Sequence, residues 1–244
     1  MELKLTKEIS NARVISGFPG FGLVATIATE FLVEHLKGEV IGRYWFEDLP
    51  ASLAIHEGKI INPINLFYNE KHNLLIVHSI SGTTGVEWKA AEFIDQLLKH
   101  VKAQELICLE GVGISSNVQK IQQEGDDEHT KVFNYTNDDE VRKILEEKDI
   151  QPLKEGIILG VTASLLLRTN IKKTCFFVET HSELPDSKAA AKLVEVLDKY
   201  LGMEVDYNPL LQTAEKFEEK LRGLLEKSQE AVQIKSSKDL SYVG

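Results

Sequence analysis

The stretch Ser16-Gly17-Phe18-Pro19-Gly20-Phe21-Gly22 constrains this chain more than any other. Upstream of it, Ala12 to Ile15 reads as the end of a buried strand. Downstream, the apolar residues at 23, 24, 27, 28, 31 and 32 share one stripe of a 3.6-residue period, which predicts a helix. Glycine permits positive φ and close backbone approach, while Pro19 fixes φ and removes one N–H. The segment is a strand–loop–helix joint whose backbone amides are placed to face another group.

Other strand exits follow the same rhythm. Leu74 to His78 is a strand that leaves through Ser81-Gly82-Thr83-Thr84-Gly85 into a helix with the stripe Trp88, Ala91, Ile94, Leu98 and Val101. Glu105 to Leu109 is a buried strand with a glycine-rich exit at Glu110-Gly111-Val112-Gly113. Lys173 to Glu179 is a strand whose exit, Thr180 to Asp186, ends in a natural N-cap for a helix from Ser187 to Leu201, stopped by Gly202. Such βα alternation predicts a parallel sheet covered by helices. Short strands at Glu39–Phe46, Ala51–His56, Ile60–Ile64 and Asn65–Tyr68 add antiparallel pieces beside it. Lys131 to Tyr135 is a further strand. Asn137 to Glu140 has capping-box spacing for a helix to about Lys148, and Val161 to Thr169 is helical. The polar, acidic stretch from Gln119 to Thr130 reads as a surface loop.

Beyond residue 207 the pattern changes. Leu210, Ala214, Phe217, Leu221 and Leu224 recur at alternating spacings of four and three, a heptad-like seam that must be covered by its own domain or by a second copy. Residues 233–244 form a polar tail with Leu240, Tyr242 and Val243 near its end. The expected division is an α/β domain over 1–207, a helix over 208–232 and a flexible tail over 233–244.

Composition narrows the function. The formal charge of −10, with bases scattered among acids, argues against a phosphate-backbone partner. No apolar run approaches the roughly 20 residues of a membrane helix, and MELKLTKEIS lacks the apolar core of a signal peptide, so a cytoplasmic protein is expected. Cys108 and Cys175 lie in separate apolar runs and read as reduced core residues. The opening loop is neither G-x-G-x-x-G nor a P-loop, so it predicts no nucleotide cofactor, and no H-E-x-x-H, C-x-x-C or G-x-S-x-G occurs. His181, flanked by Glu179 and Glu183, stands where α/β folds place catalytic groups. It nonetheless reads as a solvated surface residue, as do His56 and His78. Glu87 suits a helix N-terminus, and Glu110 suits a hydrogen bond to loop amides. Nothing assembles a nucleophile, a base and an oxyanion site together.

Several segments together resemble a known family. Gly17-Phe18-Pro19-Gly20-Phe21-Gly22-Leu23-Val24-Ala25 looks like the opening signature of the proteasome-assembly-chaperone (PAC2-type) family in archaeal form. Gly42-Arg43, Gly85-Val86-Glu87-Trp88, Gly160-Val161-Thr162-Ala163-Ser164, Glu179-Thr180, Leu184-Pro185-Asp186 and Leu201 to Asp206 follow in the family's order. The resemblance implies a three-layer α/β/α sandwich with a mixed sheet, similar to nucleoside phosphorylases, here with a C-terminal helical extension. It also implies an ATP-independent, non-catalytic chaperone of the 20S proteasome that binds α-subunits or the α-ring and forms homo-oligomers. In some relatives the tail ends in a hydrophobic–tyrosine–any tripeptide that inserts between α-subunits. Here Tyr242 is third from the end and follows Ser241, so the register is off by one. Leu240, Tyr242 and Val243 are left with a weaker, looser contact, or with a disordered end. The rival expectation is a phosphorylase- or hydrolase-like enzyme. Its pocket would be formed by the Gly17–Gly22, Ser81–Gly85 and Gly111–Gly113 loops, with Glu110 or His181 as the acid–base group. Loops packed shut by Phe18, Pro19 and Phe21 would favour the binding protein.

Overall fold

The computed structural model describes residues 5–50, 53–56, 58–113, 130–180 and 185–210. Ten strands are formed among them: β1 (Arg13–Gly17), β2 (Glu39–Tyr44), β3 (Ala54–His56), β4 (Lys59–Ile61), β5 (Ile64–Asn69), β6 (Leu74–Ser79), β7 (Glu105–Gly113), β8 (Val132–Thr136), β9 (Gln151–Pro152) and β10 (Lys173–Thr180). The helices are α1 (Val24–His35), α2 (Glu87–His100), α3 (Asp139–Glu147), α4 (Gly160–Arg168) and α5 (Ser187–Leu201).

Eight strands form one sheet in the order β2-β5-β6-β1-β7-β10-β8-β9, and β3 pairs with β4 as a separate antiparallel ribbon. The four central strands run parallel, with Ile15 of β1 registered against Ile76 on one side and Ile107 on the other. β5 and β8 run antiparallel to their inner neighbours, so the sheet is mixed, as the short strands before Leu74 predict. Central strands buried on both faces read as continuous apolar runs, and β6 is buried at all six positions.

Each face carries its own core. α1 and α5 pack together on one face, where Ile27, Leu32, Ile76, Phe176 and Leu193 meet. α2 and α4 pack on the other, over Val14, Val77, Phe93, Leu97 and Phe177. The result is the three-layer α/β/α sandwich that was expected. All six stripe positions of α1 are buried. In α2 the stripe departs from expectation: Trp88 is 56% exposed, and the buried face is made by Ala90, Ala91, Phe93, Ile94, Leu97 and Leu98. The expected loop at Gly111–Gly113 is also corrected, since β7 continues to Gly113 and stays paired with β10 up to Thr180.

The backbone is helical again at residues 208–210, where Leu210 is fully buried against the α1–α5 core of its own subunit. Ala214, Phe217, Leu221 and Leu224 of the seam, and Leu240, Tyr242 and Val243 of the tail, lie outside the described residues, as do His181, Glu183 and Leu184. No helix among the described residues is long and apolar enough to cross a membrane.

Candidate functional site

The joint after β1 is built by close approach. A Cβ on Gly17 would run into Thr29 and the Ala25 carbonyl oxygen, which places the start of α1 directly over the strand end. Gly22 and Leu23 both turn left-handed, at φ 60° and 51°. A carbonyl so turned must find a donor, and Gly22 O accepts the Asp186 N–H at 2.8 Å. Asp186 serves three purposes at once. One carboxylate oxygen caps α5 at the Ala189 N–H (2.9 Å), and the other accepts the Thr180 hydroxyl (2.8 Å). The N-cap role is the one its sequence position predicts. Pro185, half-buried, precedes it.

Glu110 stands on β7, facing this joint. Thr162 Oγ1, in the first turn of α4, donates to Glu110 Oε2 at 2.7 Å. Gly20 lies against the other oxygen, Oε1, so closely that any side chain there would occupy the same space. Gly111 likewise has room for no Cβ, because the Phe21 carbonyl oxygen and Val24 cover it. Two segments far apart in sequence, the glycine joint and the start of α4, thus close around one carboxylate. Burial raises the Glu110 pKa to about 7, and the hydrogen bonds from Thr162 and the Gly111 backbone only partly offset this.

Above Glu110 opens a cleft of about 1020 Å³. It is lined by Phe18, Pro19, Gly20 and Phe21 of the joint, by Gly111 to Gly113 and Phe133 of the sheet, and by residues 151–161. The joint is therefore not packed shut: Phe18 is buried, Pro19 is half-buried, and Phe21 is 47% exposed at the rim. Nor does the Ser81–Gly85 loop line the cleft, as the enzyme reading expects. Gly85 instead donates its N–H to the Glu87 carboxylate at the start of α2, the helix-terminal role predicted for that acid. The lining at 151–161 was not foreseen, nor was the part played by Thr162. Its sequence signal is a hydroxyl in the first turn of a helix, which only the tertiary fold aims at a strand-borne acid.

The arrangement does not suit a phosphate, since the Glu110 carboxylate lies against Gly20 of the joint and would repel it. Glu110 can exchange a proton near neutral pH, but no ion pair reaches it from another described residue. No cluster of three or more potential metal ligands occurs among the described residues.

Two polar groups elsewhere have structural explanations. His78 is buried rather than solvated, because β6 lies between β1 and β5. Its Nδ1 meets Thr29 Oγ1 at 3.0 Å, and its Nε2 faces the Glu30 carboxylate at 2.9 Å. Cys108 and Cys175 are free, buried and registered across β7 and β10. Their mutual hydrogen bond, with burial, pushes the Cys108 thiol up and keeps it inert.

The model of the PAC2 family matches residues 14–225. The crystal structure of Pyrococcus furiosus PbaA, described as an archaeal homolog of proteasome-assembly chaperone, is 33% identical, with a TM-score of 0.77. That match covers 94% of this chain and 99% of PbaA. Pyrococcus furiosus PbaB, described as an archaeal proteasome activator, is 19% identical with a TM-score of 0.71, over 91% of this chain and 97% of PbaB, which is a likeness of fold. The uncharacterized protein MJ1210 of Methanocaldococcus jannaschii is 27% identical over all of this chain and 96% of its own length.

Proposed function

The chain belongs to the PAC2 family, and from that membership we propose that it is a proteasome-assembly chaperone. The observation that carries this reading is the end-to-end likeness to PbaA, 33% identical over 94% of this chain. In this reading the protein acts in the cytoplasm as a homo-oligomer, without ATP and without catalysis, by binding 20S α-subunits or the assembled α-ring.

Several features of the chain support it. The glycine joint faces carboxylates, which disfavours a nucleotide. The β3–β4 ribbon carries Ile55 and Ile60 as a registered pair, 70% and 61% exposed, near Leu53 in sequence. Exposed apolar residues of this kind mark protein-binding surfaces when they form a contiguous patch. The family-signature residues divide into two groups. Gly17, Phe18, Pro19, Gly20, Gly22, Pro185 and Asp186 shape the joint, whereas Gly85, Glu87 and Trp88 present a separate edge with Trp88 outward. In this proposal Trp88 and the ribbon meet the partner, and Leu240, Tyr242 and Val243 add a weaker contact.

A second reading is the phosphorylase- or hydrolase-like enzyme. The observation in its favour is Glu110, an acid with a pKa of about 7 in an open cleft.

Native mass spectrometry of the protein, alone and with its own organism's α-subunits, separates these. A defined mixed complex is expected, weakened when residues 240–244 are removed. No complex with isolated α-subunits or with assembled rings would overturn the chaperone reading, and equal affinity for the two forms would remove the tail from it.

A further inference from the structure

We propose that the cleft above Glu110 is a binding site for a small amphipathic amine, an apolar stem ending in one ammonium group that pairs with the Glu110 carboxylate. The chaperone reading proposed above places its contacts on Trp88, the β3–β4 ribbon and the tail, so this proposal stands apart from it.

The lining sets the stem. At about 1020 Å³ the cleft has the size of a small-molecule site, and Phe18, Phe21, Phe133, Leu153 and Ile158 give it an apolar lining. The carboxylate sets the head. Glu110 is held on three sides, by the Thr162 hydroxyl, the Gly111 backbone and the close approach of Gly20. A carboxylate fixed this way is preorganised, so a ligand pays little to order it.

The charges facing Glu110 favour a cation. On its own strand, Cys108 stays a neutral thiol. β10 brings Glu179, the residue before β8 is Lys131, and the segment after β9 brings Lys154 and Glu155, all lining the cleft. The glycine joint contributes no ionisable group, and α4 offers only Thr162 there. The two lysines are matched by Glu155 and Glu179, so among the described residues the excess charge of the cleft is that of Glu110. Among the described residues no ion pair compensates it. An anion is repelled, and an alcohol leaves the carboxylate's charge unanswered. An ammonium on an apolar stem answers both lining and carboxylate.

The test uses the whole protein and three probes of one shape: 2-phenylethylamine, 2-phenylethanol and 3-phenylpropanoate. Binding is read by calorimetry and by amide shifts of labelled protein. At about pH 8.5 the amine is expected to bind at least about tenfold more tightly than the other two, with shifts at Gly20, Gly111 and Thr162. At about pH 5.5 Glu110 is protonated while the amine stays charged, so its affinity falls by about tenfold or more. Glu110→Gln should abolish both the preference and its pH dependence. If that variant does not fold, the three-probe comparison on the unaltered protein decides alone. An amine that binds no better than the alcohol, that binds equally at both pH values, or that shifts residues outside the cleft overturns the proposal.

Discussion

Glu110 keeps its proton to about pH 7 in the folded chain and to about 4.5 when unfolded, because folding removes water from the carboxylate faster than Thr162 and Gly111 replace it. The sign follows from proton counts. Below pH 4.5 both states hold the proton. Between 4.5 and 7 only the folded state does, so its stability falls as pH rises, by up to about 3 kcal/mol, and levels off above 7. Glu110→Gln is expected to remove this slope, matching the parent near pH 4.5 and exceeding its stability near pH 8. Urea unfolding across the range checks it, and parallel curves for the two proteins would refute the account. The neighbouring glycines make a second comparison. Gly111→Ala drives a Cβ into the Phe21 carbonyl, which cannot swing aside, and should cost about 1–3 kcal/mol. Gly20→Ala meets only the end of a flexible side chain and should cost less, while pulling Glu110 from Thr162, which removes a bond that holds the carboxyl's pKa down and so enlarges the pH-dependent change in stability. Equal losses in both variants would mean that the joint, not the carboxylate, sets the constraint at Gly20. Glu110 itself was visible in the sequence as an acid closing an apolar run. Thr162 was not, because periodicity reports which face a residue takes, not which residue 52 positions away it meets. His78 was misjudged for the same reason: its burial comes from strand order, which no local pattern contains.

Asp186 shows how one residue ties elements together, since its side chain caps α5 and holds Thr180 at the end of β10, while its N–H secures the left-handed Gly22. Asp186→Ala should therefore lower stability by about 1–2 kcal/mol and speed amide exchange at residues 21–24, whereas Asp186→Asn, which retains a capping oxygen, should lose less. Equal losses for alanine and asparagine, with exchange unchanged, would confine Asp186 to an ordinary surface role. The helix it caps was predicted at both ends because capping is local chemistry: Asp186 opens it, and Gly202, at φ 65°, closes it. Elsewhere local chemistry misled. Gly111 and Gly113 read as an exit loop, yet pairing with β10 carries β7 through them, and Gly111 answers to the backbone of the joint lying over it. At α3 the cap is Asp138, which accepts from the Glu140 and Val141 N–H groups, one residue later than the capping-box spacing places it. β9 was missed because two exposed residues, one of them proline, carry no strand pattern at all.

At the scale of the molecule, a mixed eight-stranded sheet with a core on each face follows from the βα rhythm and from the length of the apolar runs. The cleft does not, because it lies between three segments that only the sheet order brings together. The heptad-like seam raises a different question. Leu210, its first member, is already buried in its own subunit, so a cut before it would open the α1–α5 core and confuse folding with assembly. Removing residues 212–244 keeps Leu210 in place. If Ala214, Phe217, Leu221 and Leu224 are covered by a second copy, the shortened chain should show a smaller oligomer by light scattering with an unchanged far-ultraviolet spectrum per residue of the sheet domain. A seam that continues onto its own domain predicts instead an undiminished number of subunits and a lower Tm, since apolar area of the domain would then be exposed. Unchanged subunit number would transfer the burden of self-association to the β3–β4 ribbon, where Ile55 and Ile60 already stand in the open.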